Sequence, residues 1–435
     1  MIVNNKWIAA ATLIVVATTG AAFSVWSRAE GSSATDVIPA GQIADAAAIA
    51  RGEYLARAGD CIACHTAEGG PPFAGGLPMQ TPFGTIVSSN ITPDNGTGIG
   101  QWTAAEFLRA VKHGVGRHGE HLYPAMPYNA YTKVSDQDVL DIKAYLDTVT
   151  PVQHAVESNQ LPFPFNIRLL MIGWNLLFFD DTPFVPDPKQ SVEWNRGAYL
   201  VQGLGHCTSC HTAKNFLGGD KAWLEGGNLQ NWHAPEITDN PYTGLGDWSV
   251  GDIVDYLQTG GNARSVASGP MAEAVTNSLQ YLTRADLRAM AAYLKSVPGS
   301  DRVRPAPLAA TDVAMVRGRS LFETNCAACH SSSGAGVPGM VSSLRASAGV
   351  QAPDPVNMLH TMLVGSRGAV TMHNPTGAAM PNFSWKLTDS EMADVATYVR
   401  NSFGNAAAPV RPDDVNKIRE TLKAQMPIHM AQAGK

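Results

Sequence analysis

The chain has 435 residues, 45% of them hydrophobic and only 16% charged, with a net charge of −6. That length suits several modest domains. The mildly acidic balance, without a basic run of five, leaves no electrostatic footprint for nucleic acid, and a mean hydropathy of −0.07 excludes a polytopic membrane protein.

The first element is an uncharged run from Trp7 to Ser27, flanked by Lys6 and Arg28. It is about as long as a bilayer-spanning helix requires and longer than the usual signal-peptide core. An uncleaved anchor is the expected reading, and a signal removed near Ala29 is the alternative. Either one exports the rest of the chain.

All six cysteines then fall into three copies of one pentad. They are Cys61-Ile62-Ala63-Cys64-His65, Cys207-Thr208-Ser209-Cys210-His211 and Cys326-Ala327-Ala328-Cys329-His330. An exported chain could instead have used six cysteines for three disulfides. The spacing points to covalent haem c: two thiols for two vinyl groups, and an imidazole for the iron, sharing a face of one helical turn. A zinc site gives no reason for a His after every second Cys.

Each pentad opens a repeat. Arg51-Gly52-Glu53-Tyr54-Leu55, Arg196-Gly197-Ala198-Tyr199-Leu200 and Arg317-Gly318-Arg319-Ser320-Leu321 precede the three copies. Each repeat closes on a helix with a Ser or Thr N-cap, at Ser135, Thr283 and Thr388. The spacing predicts a first helix bearing the haem motif and a last helix packed on it. The first two repeats share a Thr-Gly-[Ile/Leu]-Gly-x-Trp-[Thr/Ser] block, at Thr97–Thr103 and Thr243–Ser249, which the third lacks. Strand alternation is scarce, so the expected class is all-α: three tandem cytochrome c domains behind an N-terminal membrane helix. The expected boundaries are 1–30 for the anchor or signal, 31–156 for the first domain and 157–190 for an amphipathic connecting segment. The second domain takes 191–302, the third 303–410, and a helical tail 411–435, with its helix roughly from Asp413 to Gln425.

A sixth iron ligand is expected from a Met beside Pro in each repeat, since a Met thioether raises the potential of a His-ligated iron. Met126, Met271 and Met380 fit. His118, His121, Met340, Met372 and His373 are rivals, and His233 and His360 read as solvated or structural. With His65, His211 and His330 as the other axial ligands, three six-coordinate irons have no open position and no catalytic residue. That favours electron transfer over haem catalysis. The apolar stretch Leu169 to Phe179 is too short to span a bilayer. It could lie on a membrane surface, form a quinone or partner contact, or pack between domains.

The three pentads, the paired Trp blocks and the Phe163-Pro164-Phe165-Asn166-Ile167-Arg168 segment together resemble the triheme cytochrome c subunits of membrane-bound periplasmic dehydrogenases. The segment from Leu161 to Asp180 is most similar to subunits that serve molybdopterin-type aldehyde or N-heterocycle dehydrogenases. Quinoprotein alcohol enzymes and flavin sugar or gluconate enzymes are the alternatives. The resemblance implies three covalent haems c, a catalytic dehydrogenase partner with a small iron–sulfur subunit, and electron delivery to ubiquinone. It also implies the periplasmic side of the inner membrane of a Gram-negative bacterium, in contact with lipid. A stand-alone carrier or a haem peroxidase is the alternative of another class.

Overall fold

The computed structural model describes residues 45–229 and 231–433, which belong to one compact unit starting at Ala44. The expected N-terminal membrane helix lies outside the described residues. Among those described, no helix is long and apolar enough to cross a membrane.

Each repeat is framed by a crossed helix pair. Helix α1 (Ala46–Ala58) begins at the Asp45 cap, and α2 (Ala104–His113) begins at a Thr103–Glu106 capping box. Helix α3 (Asp136–Leu146) begins at the Ser135 cap and packs on α1. The apolar connecting stretch forms α4 (Leu170–Phe178). The second repeat follows the same order with α5 (Val192–Gln202), α6 (Val250–Thr259), α7 (Pro270–Asn277) and α8 (Arg284–Ser296). The third has α9 (Val313–Asn325), α10 (Val356–Val364) and α11 (Asp389–Arg400), and then α12 (Pro412–Ala433).

The Arg-Gly pair of each repeat explains the crossing. Gly52 lies so close to α3 that a β-carbon would sit 1.8 Å from the Asp141 carbonyl oxygen. At Gly197 the same atom would meet the Ala289 oxygen at 1.9 Å, and at Gly318 the Asp394 oxygen at 2.1 Å. Only glycine allows backbones this near. The preceding arginine fastens each crossing, Arg51 to Asp141 at 2.8 Å, Arg196 to Asp286 at 2.8 Å and Arg317 to Asp394 at 2.9 Å.

The first two repeats are joined reciprocally. Tyr54 donates to Asp286 Oδ2 at 2.6 Å and accepts from the Thr283 amide at the start of α8. Tyr199, at the matching position, donates to Asp138 and accepts from the Ser135 amide at the start of α3. Each domain thus caps the other's last helix. One hydrophobic core, including Leu55, Val139, Leu200 and Leu287, runs through both. Ser320 stands at the equivalent position of the third repeat, which has its own core around Phe322, Met392 and Leu359.

Three details differ from the sequence expectations. The haem motif does not ride on the first helix, which ends before it. Asp60 takes a left-handed conformation (φ 50°) and sends Cys61–Cys64 into a separate turn. The all-α class holds for the bulk of the described chain, but three two-stranded hairpins are present, β1–β2 (Pro78–Thr81, Gly84–Val87), β3–β4 (Gly227–Leu229, Trp232–Ala234) and β5–β6 (Ser366–Arg367, Ala379–Met380). Strands of two to four residues are too short to show alternation. The tail helix also runs further than expected, to Ala433.

Candidate haem sites

Each pentad forms a one-turn helix that brings its two cysteines and its histidine together, at Cys61–Cys64, Thr208–His211 and Ala327–His330. The backbone around the three histidines repeats in detail. His65 Nδ1 lies 2.7 Å from the Ser89 carbonyl oxygen, His211 Nδ1 2.6 Å from that of Pro235, and His330 Nδ1 3.2 Å from that of Ser342. A carbonyl only accepts, so Nδ1 carries the proton and Nε2 keeps its lone pair for a metal. Burial lowers the pKa of all three imidazoles, which favours the neutral, ligating form.

The histidine carbonyls are fixed too. They accept from the amides of Gly75, Gly226 and Gly336 at 2.8, 2.9 and 3.0 Å. All three glycines have positive φ. A β-carbon on Gly75 would sit 2.4 Å from the Ser89 backbone, and one on Gly336 2.3 Å from the Val341 oxygen. These glycines, with the carbonyls of Ser89, Pro235 and Ser342, are the site residues that the sequence reading passed over.

Cys61, Cys207, Cys210 and Cys326 are half-buried, and Cys64 and Cys329 are exposed. Burial pushes Cys61, Cys64 and Cys207 up to about 12 and Cys326 up to about 11. None of the six is in a disulfide. Among the described residues no three His, Cys, Asp or Glu side chains converge as a bare-metal site.

A cavity of about 590 Å³ runs through the second and third repeats. Cys207, Cys210, His211 and Met271 line one part, and Cys326, Cys329, His330 and Met380 line the other. Well-packed interiors do not retain apolar voids of this size without an occupant. Asp60 and Asn325 line the same cavity, each directly before a haem-motif cysteine, and each has a buried oxygen, Oδ1, without a hydrogen-bond partner. The donor set, the apolar void and the orphaned oxygens all fit a covalently attached haem.

The methionines divide by position. Met126 is half-buried against the core shared by the first two repeats. Met271 follows Gly269 and Pro270 at the start of α7 and faces the cavity. Met380 reaches the cavity from β6, whose partner residue is Ser366. Among the rivals, Met372 is 72% exposed and His373 and His118 are also exposed. Met340 touches the cavity, though half of its surface is in solvent. His121 has a buried, unpartnered Nδ1 in the first repeat. His233 lines the cavity, with Nδ1 2.8 Å from Asn228 Oδ1. The His233 amide donates to Asn357 at 2.7 Å, and His360 stacks on Trp232 at 4.1 Å, which docks β3–β4 on α10.

The family model for cytochrome c matches residues 49–150, 195–298 and 315–403. The chain belongs to the cytochrome c family. Haem c is therefore its covalently bound cofactor, and electron transfer its work. This cytochrome is 39% identical over 405 residues to the gluconate 2-dehydrogenase cytochrome c subunit of Pantoea cypripedii, covering 88% of this chain and 92% of that one. It is 39% identical over 412 residues to the fructose dehydrogenase cytochrome subunit of Gluconobacter japonicus, covering 87% and 84%. It is 42% identical over 366 residues to a nicotinate dehydrogenase chain of Pseudomonas putida, a match that spans 82% of this chain but only 30% of that longer protein. The cytochrome thus groups with cytochrome c subunits of dehydrogenases.

Proposed function

We propose that this chain carries three haems c and relays electrons from a catalytic dehydrogenase subunit to membrane ubiquinone at the periplasmic face of a Gram-negative inner membrane. Cys61, Cys64 and His65 with Met126 would hold the first haem. Cys207, Cys210, His211 and Met271 would hold the second, and Cys326, Cys329, His330 and Met380 the third. A bound haem supplies a one-electron couple at its iron.

The observation that carries this reading is the contiguity of the three sites. The second and third share one cavity, and Asp60, adjoining the first motif, lies on its wall. These neighbouring sites support a relay from one haem to the next. The chain's residues hold the domains side by side: Tyr54 and Tyr199 clamp the first domain to the second, and the Trp232–His360 stack docks the second on the third.

For the partner, the reading prefers a molybdopterin-type dehydrogenase of aldehydes or N-heterocycles, accompanied by a small iron–sulfur subunit. The nicotinate relative supports the heterocycle branch. A sugar or sugar-acid dehydrogenase is the second reading, supported by the nearly full-length match to the gluconate and fructose subunits. Isolation of the chain from its native membrane in mild detergent, with mass spectrometry of what accompanies it, separates them. A large molybdopterin subunit with a small iron–sulfur chain is expected. A flavoprotein or quinoprotein would move the substrate to a sugar or an alcohol, and the absence of any catalytic chain would overturn the proposal.

A further inference from the structure

The segment joining the first two repeats leaves most of its apolar side chains in solvent. Phe163 is 80% exposed, Leu169 69%, Leu176 78% and Leu177 67%. Helix α4 contains no buried residue at all. The loop that carries Phe216, 87% exposed, belongs to the same patch. Trp174 Nε1 donates to the Leu217 carbonyl at 2.9 Å, and Phe83 packs on Phe165 with ring centres 5.0 Å apart. Soluble monomers rarely expose so continuous an apolar surface.

The patch offers little for a polar partner to bind. Arg168 is the only charged residue between Leu161 and Phe179. It is turned onto the protein, donating to the His121 carbonyl at 2.9 Å with its guanidinium over the Tyr123 ring. Asn175 accepts from Tyr128 at 2.7 Å. The first amides of α4 donate to Ile167, Arg168 and Leu169 carbonyls. A protein interface normally exchanges a hydrogen bond for every 100–200 Å² or so. Hydrocarbon exchanges none, so a segment whose one charged side chain is turned onto the protein favours hydrocarbon.

Nine residues of helix extend about 14 Å, against roughly 30 Å of bilayer core, so α4 can lie on a membrane but not cross it.

We propose that α4 and the Phe216 loop insert into the headgroup–acyl boundary of a phospholipid bilayer, with α4 parallel to the surface. This rests on the membrane-acceptor reading above and names the contact it uses. The test reconstitutes the full haem-loaded chain with vesicles of phosphatidylethanolamine and phosphatidylglycerol that contain a photoactivatable phospholipid. After irradiation, labelled peptides are mapped by mass spectrometry. Label is expected in residues 161–179 and around Phe216, and Leu176→Glu with Leu177→Glu should reduce it at least about tenfold with an unchanged haem spectrum. Label confined to the N-terminal peptide would overturn the proposal, as would a cross-link from α4 to a second copy or another protein. Dehydrogenase-driven reduction of the haems, followed in the native complex, reports on the relay separately, so either idea can fail alone.

Discussion

At the scale of single residues, the three Cys-x-x-Cys-His pentads stand out in the sequence because covalent haem attachment demands a fixed spacing. Their immediate supports do not. The Ser89, Pro235 and Ser342 groups that orient the histidines are backbone carbonyls, which any residue provides. Gly75, Gly226 and Gly336 sit at different distances from their pentads, so no common motif marks them. Methionine position yields a direct prediction. Met380→Ala should convert one of three haems to a high-spin form that binds added ligand, whereas Met372→Ala, at an exposed position, should leave the spectrum unchanged. If Met340 were the ligand instead, Met340→Ala would produce the high-spin signal and Met380→Ala would not.

At the scale of elements, the crossed helix pairs and the reciprocal tyrosine caps hold the domains in place. Gly197→Ala puts a β-carbon against the Ala289 carbonyl and should cost at least about 2 kcal/mol, seen as a lower denaturant midpoint with all haems retained. Asp286 works across the first interface, accepting from both Arg196 and Tyr54. Burial alone would raise its pKa, but those hydrogen bonds outweigh burial and hold it below the usual carboxylate range. A carboxylate held low when folded takes up its proton later than in the unfolded chain. Its stabilisation is therefore present above about pH 4 and is lost as pH falls through the acid range. Asp286→Asn should lower stability by about 1–3 kcal/mol at neutral pH, with the difference from the parent shrinking in acid. An unchanged difference between pH 7 and pH 3 would contradict this assignment. The Arg-Gly-x-Tyr motif was visible in the sequence, yet its two roles were not. The glycine's neighbour and the tyrosine's acceptor lie many residues away, on helices that only the fold brings close.

At the scale of the whole molecule, the repeats predict three domains but not their arrangement. The shared core of the first two and the separate core of the third arise from tertiary contacts without a local signature. Helix α4 shows the same boundary of legibility. Its apolar composition was plain, but the sequence did not show that it would touch both Tyr128 of the first repeat and Leu217 of the second while leaving Leu176 and Leu177 exposed. The relay account ties these features together, with a second domain in contact with both others and two clamps that fix its neighbours.

The most direct test follows the haem absorbance of the isolated native complex after reduction by its own substrate, when a soluble ubiquinone analogue is added. The account predicts that haem bands corresponding to three haems per chain reoxidise with matching quinol formation. Haems that substrate never reduces, or that stay reduced while quinol forms, would contradict it.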